Sequence, residues 1–150
     1  MIFLEIDPGH VLPVPEAVLE EAAQAALRQQ FAPQADLTVV LTGDERIRGL
    51  NRDFLGQDRS TDVLSFPAGE ADPETGRQYL GDVVISLPTA GEGARRGGHA
   101  LQAELQLLVV HGVLHLLGHD HADADEKQRM WTAQAQILTA LGISPSIVHE

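Results

Sequence analysis

The sequence predicts an α+β protein: one domain over residues 1–150, in which a small mixed sheet of about four strands is flanked by helices and one helix lines a cleft. Three observations predict it. A chain of 150 residues, 43% of them hydrophobic, is long enough for one apolar core and too short for two. Short β-branched runs alternate with segments of helical periodicity. No repeat and no linker divides the chain.

The N-terminal third supplies two strands and two helices. Ile2–Ile6 is a short apolar run that ends before Pro8 and Gly9, as a strand does. Apolar residues recur at helical spacing over residues 16–30, and residues 37–42 form a β-branched strand. Gly43 and Asp44 then provide a turn and a helix cap. The short helix that follows has an apolar face made of Ile47, Leu50 and Phe54.

The remaining elements are marked by prolines and glycines. Residues 62–66 and 82–87 are predicted strands, stopped by Pro67 and Pro88. Residues 91–98 hold Arg95 and Arg96 among four glycines and are expected to form a mobile loop, either bordering a ligand or serving as a connector. A long apolar helix is predicted over residues 100–117, ending at Gly118, and a last helix over residues 123–141, where Asp123 and Glu126 resemble a capping box.

Composition excludes several classes of function. The chain has no cysteine, which rules out disulfides, thiolate metal sites and cysteine nucleophiles. Its N-terminus lacks the basic start and apolar stretch of an export signal, and the apolar stretch at residues 105–118 is too short and too polar to span a bilayer. A cytoplasmic location is therefore expected. The formal charge of −12 should repel nucleic acid, so an RNA-binding role requires a local positive surface.

Four of the seven histidines lie within residues 111–121. His111 and His115 are four residues apart, so a helix projects both from one face toward a single ion. Gly118 lets the backbone turn, which makes His121 the natural third ligand and His119 its competitor. Three imidazoles leave one tetrahedral position open, as in catalytic zinc sites, although nickel, copper or cobalt would also accept nitrogen ligands.

A histidine pair alone on an apolar helix is more often a packed core pair than a metal site; the third histidine beyond the glycine favours metal. His10, His99 and His149 have no such partners and are interpreted as surface residues. The spacing of the three ligands matches the metzincin protease helix, but that motif has a glutamate base directly after its first histidine. Here that residue is Gly112.

Residues 111–121 also resemble the signature of the YbeY family of bacterial endoribonucleases, which act in ribosomal RNA maturation. The segments Thr-Asp-Val-Leu-Ser-Phe-Pro at 61–67 and Gly-Asp-Val-Val-Ile-Ser at 81–86 resemble that family too, in the expected order. The resemblance implies one zinc ion on His111, His115 and His121, and a single-stranded or precursor ribosomal RNA substrate. It also implies a catalytic arginine; Leu55 stands at the best-aligned position, so Arg52 or Arg59 would supply the charge, and Arg59 is preferred.

The predicted reaction is metal-dependent cleavage of an RNA phosphodiester, by attack of water or of the ribose hydroxyl. Three acids are candidates to support the metal-binding imidazoles: Asp82, Glu104 and Asp120. A local groove of arginines would offset the acidic charge: Arg46, Arg52, Arg59, Arg95 and Arg96. The ribosome or a ribosome-associated protein would add affinity. Two alternatives remain open, a zinc peptidase-like hydrolase and a non-enzymatic ribosome assembly factor with a structural metal.

Overall fold

The computed structural model describes residues 1–148 and contains one four-stranded mixed sheet. The strands are β1 (Ile2–Ile6), β2 (Asp36–Thr42), β3 (Val63–Ala71) and β4 (Gln78–Ser86), in the spatial order β1-β2-β4-β3. β1, β2 and β4 run parallel, and β3 pairs antiparallel with β4 at the edge of the sheet. The predicted α+β fold with a small mixed sheet is confirmed.

In the described part of the chain, five α-helices flank the sheet: α1 (Glu16–Gln29), α2 (Asp44–Leu55), α3 (Leu87–Gly97), α4 (Leu101–Leu116) and α5 (Ala124–Ala140). A short 3-10 helix follows at Pro145–Ile147. Within residues 1–148, no helix combines the length and apolar character needed to cross a membrane.

Alternation along the strands divides the core into two clusters. Leu37, Val39 and Leu41 of β2 belong to the larger cluster, together with buried residues of α1, α4 and α5. The intervening Val40 belongs to a smaller cluster with Ile47 of α2. Because successive strand side chains point to opposite faces, α1 and α4 cover one face of the sheet and α2 covers the other.

Pro67 does not end β3, contrary to the sequence-based prediction. The strand continues to Ala71, with an irregularity in its pairing between Pro67 and Glu70. Proline lacks the N–H that a central strand needs, but an edge strand has one side without a partner and tolerates it. The edge position of β3 therefore explains the longer strand.

Residues 91–98 are not a mobile loop, which is a second correction. They form most of α3, whose first turn contains Pro88 and is capped by the Ser86 hydroxyl, which accepts from the backbone N–H of Thr89 at 3.4 Å. Gly93 allows Glu104 of α4 to approach closely, because a Cβ at position 93 would lie 3.0 Å from its Oε2. Gly93 therefore serves helix packing rather than loop flexibility.

The helix α4, which carries His111 and His115, lies close to the sheet at Gly112. A methyl group there would overlap Cγ1 of Val83 on β4 and lie 3.0 Å from its Cγ2. The Gly112 carbonyl also accepts a 2.9 Å hydrogen bond from the Ser65 hydroxyl of β3. This glycine therefore sets the distance between α4 and both neighbouring strands.

Gly112→Ala should destabilise the protein by about 1–3 kcal/mol, because the added methyl overpacks the contact between α4 and β4. Gly91→Ala is the matched control, since a Cβ at this helical position meets nothing within 4 Å. The control should raise stability by about 0.4–1 kcal/mol through the loss of glycine flexibility in the unfolded chain. Urea denaturation of both variants measures the two changes; a neutral Gly112→Ala would contradict the close approach.

An ion pair between Asp36, the first residue of β2, and Arg77, which precedes β4, joins these two strands. Both Asp36 oxygens accept from Nε of Arg77, at 3.0 and 3.1 Å. This hydrogen bonding lowers the pKa of Asp36 to about 2. An aspartate with a depressed folded-state pKa stabilises the protein above its unfolded pKa of about 3.9, and loses that contribution as the pH falls through the folded value.

Asp36→Asn should therefore lower the free energy of unfolding at pH 7, and the difference from the wild type should fade between pH 4 and pH 2. Denaturant titrations across that pH range provide the measurement. Asp53→Asn, which removes an exposed acid paired with Arg52, should change stability by no more than about 0.5 kcal/mol. A difference for Asp36→Asn that is independent of pH would show that the Arg77 pair is not its cause.

Candidate metal centre

Three histidines converge at the C-terminal end of α4. Nε2 of His111 and Nε2 of His115 lie 3.2 Å apart, and one ligand nitrogen from each of His111, His115 and His121 lies within 4.8 Å of the others. Two nitrogens bound at 2.0–2.1 Å in a tetrahedral site are separated by about 3.3 Å. The helical pair is thus already spaced as metal ligands are, and His121 is within reach of the same point.

The end of α4 explains how His121 returns to this point. Gly118 has φ +97°, in the left-handed region, and its N–H donates to the His115 carbonyl at 3.1 Å. The next N–H, of His119, donates to the Leu114 carbonyl at 3.0 Å. This pair of bonds is a Schellman motif, which ends the helix and reverses the chain. Beyond it, the Asp120 carboxylate accepts from the backbone N–H of His121 at 2.7 Å and fixes the turn.

Burial keeps the helical histidines in the form that binds metal. Desolvation by burial is the main cause that lowers the pKa of His115, to about 4, and the neighbouring imidazoles of the cluster further disfavour its protonated form. Desolvation also lowers the pKa of His111. Both imidazoles are therefore neutral near pH 7 and offer lone pairs to a cation.

His119 is not part of this cluster. Its Nε2 lies 2.6 Å from Oε1 of Gln30 at the end of α1, and it lines a different surface cavity with Asp120, Glu126 and Arg129. The chain reversal at Gly118 sends His119 and His121 to opposite sides. The sequence left these two residues in competition, and the structure brings only His121 to His111 and His115.

The cluster opens into a cleft of about 460 Å³ between α4 and the edge strand β3. The segment 61–65 forms much of one wall, and Asn51 and Leu55 of α2 add to it. Arg59 also lines the cleft: its Nε donates to the Gln57 side chain at 3.0 Å, and its carbonyl accepts from the Asn51 side chain at 2.9 Å. Arg59 is the one Arg or Lys residue among the described residues that line this cleft.

The predicted groove of five arginines does not form. Arg46 pairs with Asp7, and Arg52 pairs with Asp53 at 2.9 Å. Arg95 and Arg96 line a separate cavity with Glu92. None of these four arginines lines the cleft beside the histidines. Of the predicted set, only Arg59 borders the histidines.

The three acids predicted to support the imidazoles bond elsewhere. Asp82 accepts from the Tyr79 hydroxyl, and Glu104 lies 2.6 Å from Nε2 of His99. Asp120 accepts from the His121 backbone. The His99 side chain, which contacts Glu104, is only 10% exposed, and this corrects its interpretation as a surface residue. His149 lies outside the described residues.

The residue that does contact a candidate ligand was missed at the sequence level. Nδ1 of His111 lies 3.0 Å from Oε1 of Gln134 on α5. Gln134 follows Met130 by four residues and precedes Ile137 by three, and all three are buried. A polar residue within the apolar stripe of an amphipathic helix is a signal that the sequence does contain.

Comparison with known proteins identifies the family. The family model described as "Endoribonuclease YbeY" matches residues 10–142. The chain belongs to the YbeY family. It is 39% identical to "Endoribonuclease YbeY" of Halalkalibacterium halodurans, over 87% of this chain and 89% of that protein. It is 36% identical to the protein of the same name from Brevibacillus brevis, over 96% of this chain and 99% of that one.

A solved structure agrees with this YbeY-family fold. The solution structure of TM1509 from Thermotoga maritima matches with a TM-score of 0.59 and 26% sequence identity, covering 100% of this chain and 97% of that one. The resemblance stated from residues 61–67, 81–86 and 111–121 is thus confirmed at the level of the family.

Proposed function

We propose that this YbeY-family chain is, over residues 1–150, a metal-dependent endoribonuclease that cuts single-stranded RNA in ribosomal RNA maturation. The observation that carries the proposal is the convergence of His111, His115 and His121 in an open cleft, in a chain whose relatives are named endoribonucleases. The cleft's volume of about 460 Å³ and its partly polar lining are compatible with an extended polar strand.

Zinc is the proposed ion. Neutral imidazoles are preferred ligands of Zn²⁺, and three of them with an open fourth position are typical of catalytic zinc sites. Among the described residues, no fourth His, Asp or Glu joins the cluster, which favours an open site over a structural one. When bound, such an ion supplies Lewis-acid polarisation of a phosphoryl oxygen and a lowered pKa for its water.

The residues of the chain would divide the remaining work. His111 and His115 hold the ion from a rigid helix, and His121 completes the set from the turn after it. Arg59 would contact the phosphate that is cut, since guanidinium N–H groups match phosphate oxygens in geometry and charge. Asn51 would keep Arg59 in the cleft through its bond to the Arg59 carbonyl.

A peptidase role is less well supported. In the protease motif with this histidine spacing, the residue after the first ligand is the glutamate base. Here it is Gly112, which packs against Val83 so closely that no side chain fits. The base required for peptide hydrolysis would have to come from another element.

The electrostatics favour a partner that delivers the RNA. The chain carries a formal charge of −12 and presents one arginine in the cleft. Free RNA would bind weakly and with strong salt dependence, because few phosphates are neutralised. We propose that the ribosome or a ribosome-associated protein in the cytoplasm brings the RNA precursor to this cleft.

His115→Ala should abolish both metal binding and RNA cleavage. Losing a residue that only hydrogen-bonds a metal ligand lowers metal affinity by about 10- to 100-fold. Losing one of the three ligands themselves should lower it further. His119→Ala is the matched control, because His119 contacts Gln30 outside the cluster. Mass spectrometry measures the metal content, and end-mapping of a single-stranded RNA measures cleavage. A cyclic phosphate end indicates attack by the ribose hydroxyl, and a linear phosphate end indicates attack by water. Cleavage by metal-free His115→Ala protein would refute the proposal.

Arg59→Ala should lower kcat/KM for RNA by about 10- to 100-fold, the loss expected for one charge-assisted contact. Zinc content should stay unchanged, because Arg59 is not a ligand. Arg52→Ala serves as the control: it removes the same charge from a residue that pairs with Asp53. Equal losses in the two variants would mean that Arg59 acts only through overall charge.

A further inference from the structure

Gln134 is a fully buried amide on a helix whose other buried positions are mostly apolar. Its exposure is 0%, and Met130, Ile137 and Leu138 surround it along the same face of α5. Burying an amide costs free energy unless hydrogen bonds replace its water. The placement of this side chain therefore points to a specific partner.

That partner is the candidate ligand His111. Oε1 of Gln134 lies 3.0 Å from Nδ1 of His111. An amide oxygen only accepts, so this bond requires the proton on Nδ1 and leaves a lone pair on Nε2. The same Nε2 lies 3.2 Å from Nε2 of His115, on the side where the three rings converge.

We propose that Gln134 is the positioning residue of the metal centre: it fixes the tautomer and ring orientation of His111 so that Nε2 is presented to the ion. The inference rests on the metal site of the proposed function and does not depend on which substrate is cut. It assigns to α5 a part in a site otherwise built from α4 and the turn that follows it. A ligand whose second nitrogen is held in this way binds metal more tightly than one free to rotate.

The orientation of the amide decides whether Gln134 can play this role. Gln134 lines a cavity of about 140 Å³ together with His111, Asp62 and Glu104. Its Nε2 makes no hydrogen bond within the described residues, so the contact of Oε1 with His111 is what satisfies this buried amide. The reversed amide would direct N–H groups at Nδ1 and place the imidazole proton on Nε2, which would remove the lone pair that binds metal.

A second residue of α5, Trp131, also packs near the His111 ring. The Trp131 ring centroid lies 6.3 Å from that of His111, with the planes tilted by 41°. Trp131 and Gln134 are three residues apart on the same helix, so packing and hydrogen bonding restrict the same imidazole together. Ile137 and Leu138 pack α5 against the hydrophobic core, so the fold fixes the position of Gln134.

The test compares three variants of the full chain. Gln134→Met keeps the length of the side chain and removes the acceptor, Gln134→Glu keeps an acceptor oxygen, and Gln128→Met makes the same change at an exposed position of α5. Zn²⁺ affinity is measured by competition with a chelator. We expect Gln134→Met to lose about 10- to 100-fold in affinity, Gln134→Glu to retain or increase it, and Gln128→Met to match the wild type.

A second readout needs neither zinc nor RNA. Long-range ¹H–¹⁵N NMR of the metal-free wild type should show neutral His111 protonated on Nδ1, whereas Gln134→Met should show a mixture of tautomers. This spectrum decides the matter if Gln134→Met does not fold. Wild-type affinity in Gln134→Met, an Nε2-protonated His111 in the wild type, or a wild type that binds no zinc would each overturn the inference. Zinc binding that depends on Gln134 without any RNA cleavage would instead refute only the nuclease proposal.

Discussion

The contact between Gly112 and Val83 determines where the histidines of α4 lie relative to the sheet. Because position 112 carries no side chain, the helix lies directly on β4 and its carbonyl reaches the Ser65 hydroxyl on β3. His111 and His115, on either side of this contact, then project past the edge of the sheet toward the cleft. A larger residue would lift α4 and move both rings away from the wall formed by residues 61–65.

The same contact accounts for the absent glutamate base. Position 112 faces the sheet, so a side chain there could not reach a metal beside the cleft. This fold therefore lacks the glutamate base that the protease helix carries next to its first ligand. Under the proposed function, the chemistry would then depend on the ion, on a neutral imidazole set and on the charge of Arg59. Burial contributes to this arrangement, because desolvation keeps His111 and His115 unprotonated near pH 7.

Local signals in the sequence were enough for the four strands, for four of the five described α-helices and for the three convergent histidines. Periodicity located α1, α2, α4 and α5, and the glycine between His115 and His121 indicated the turn that brings the third ring back. Pro67 was misread because a proline ends a strand only where its missing N–H would be needed, and edge position depends on tertiary order. Gly93 of α3 was misread because close helix packing and loop flexibility favour the same residue.

Partners distant in sequence could not be predicted from local patterns. Nothing around Gln134 shows that it meets His111, 23 residues away, and nothing around His99 shows that Glu104 turns inward to meet it. The net charge also did not predict how many arginines line the cleft. Ion pairs such as that of Arg46 with Asp7 hold arginines elsewhere, where they cannot contact a phosphate in the cleft. Under the proposed function, an acidic protein with one arginine among the described residues of its cleft would cut a strand that a partner delivers. Its specificity would then come from the partner that presents the RNA, with the cleft contributing mainly the chemistry.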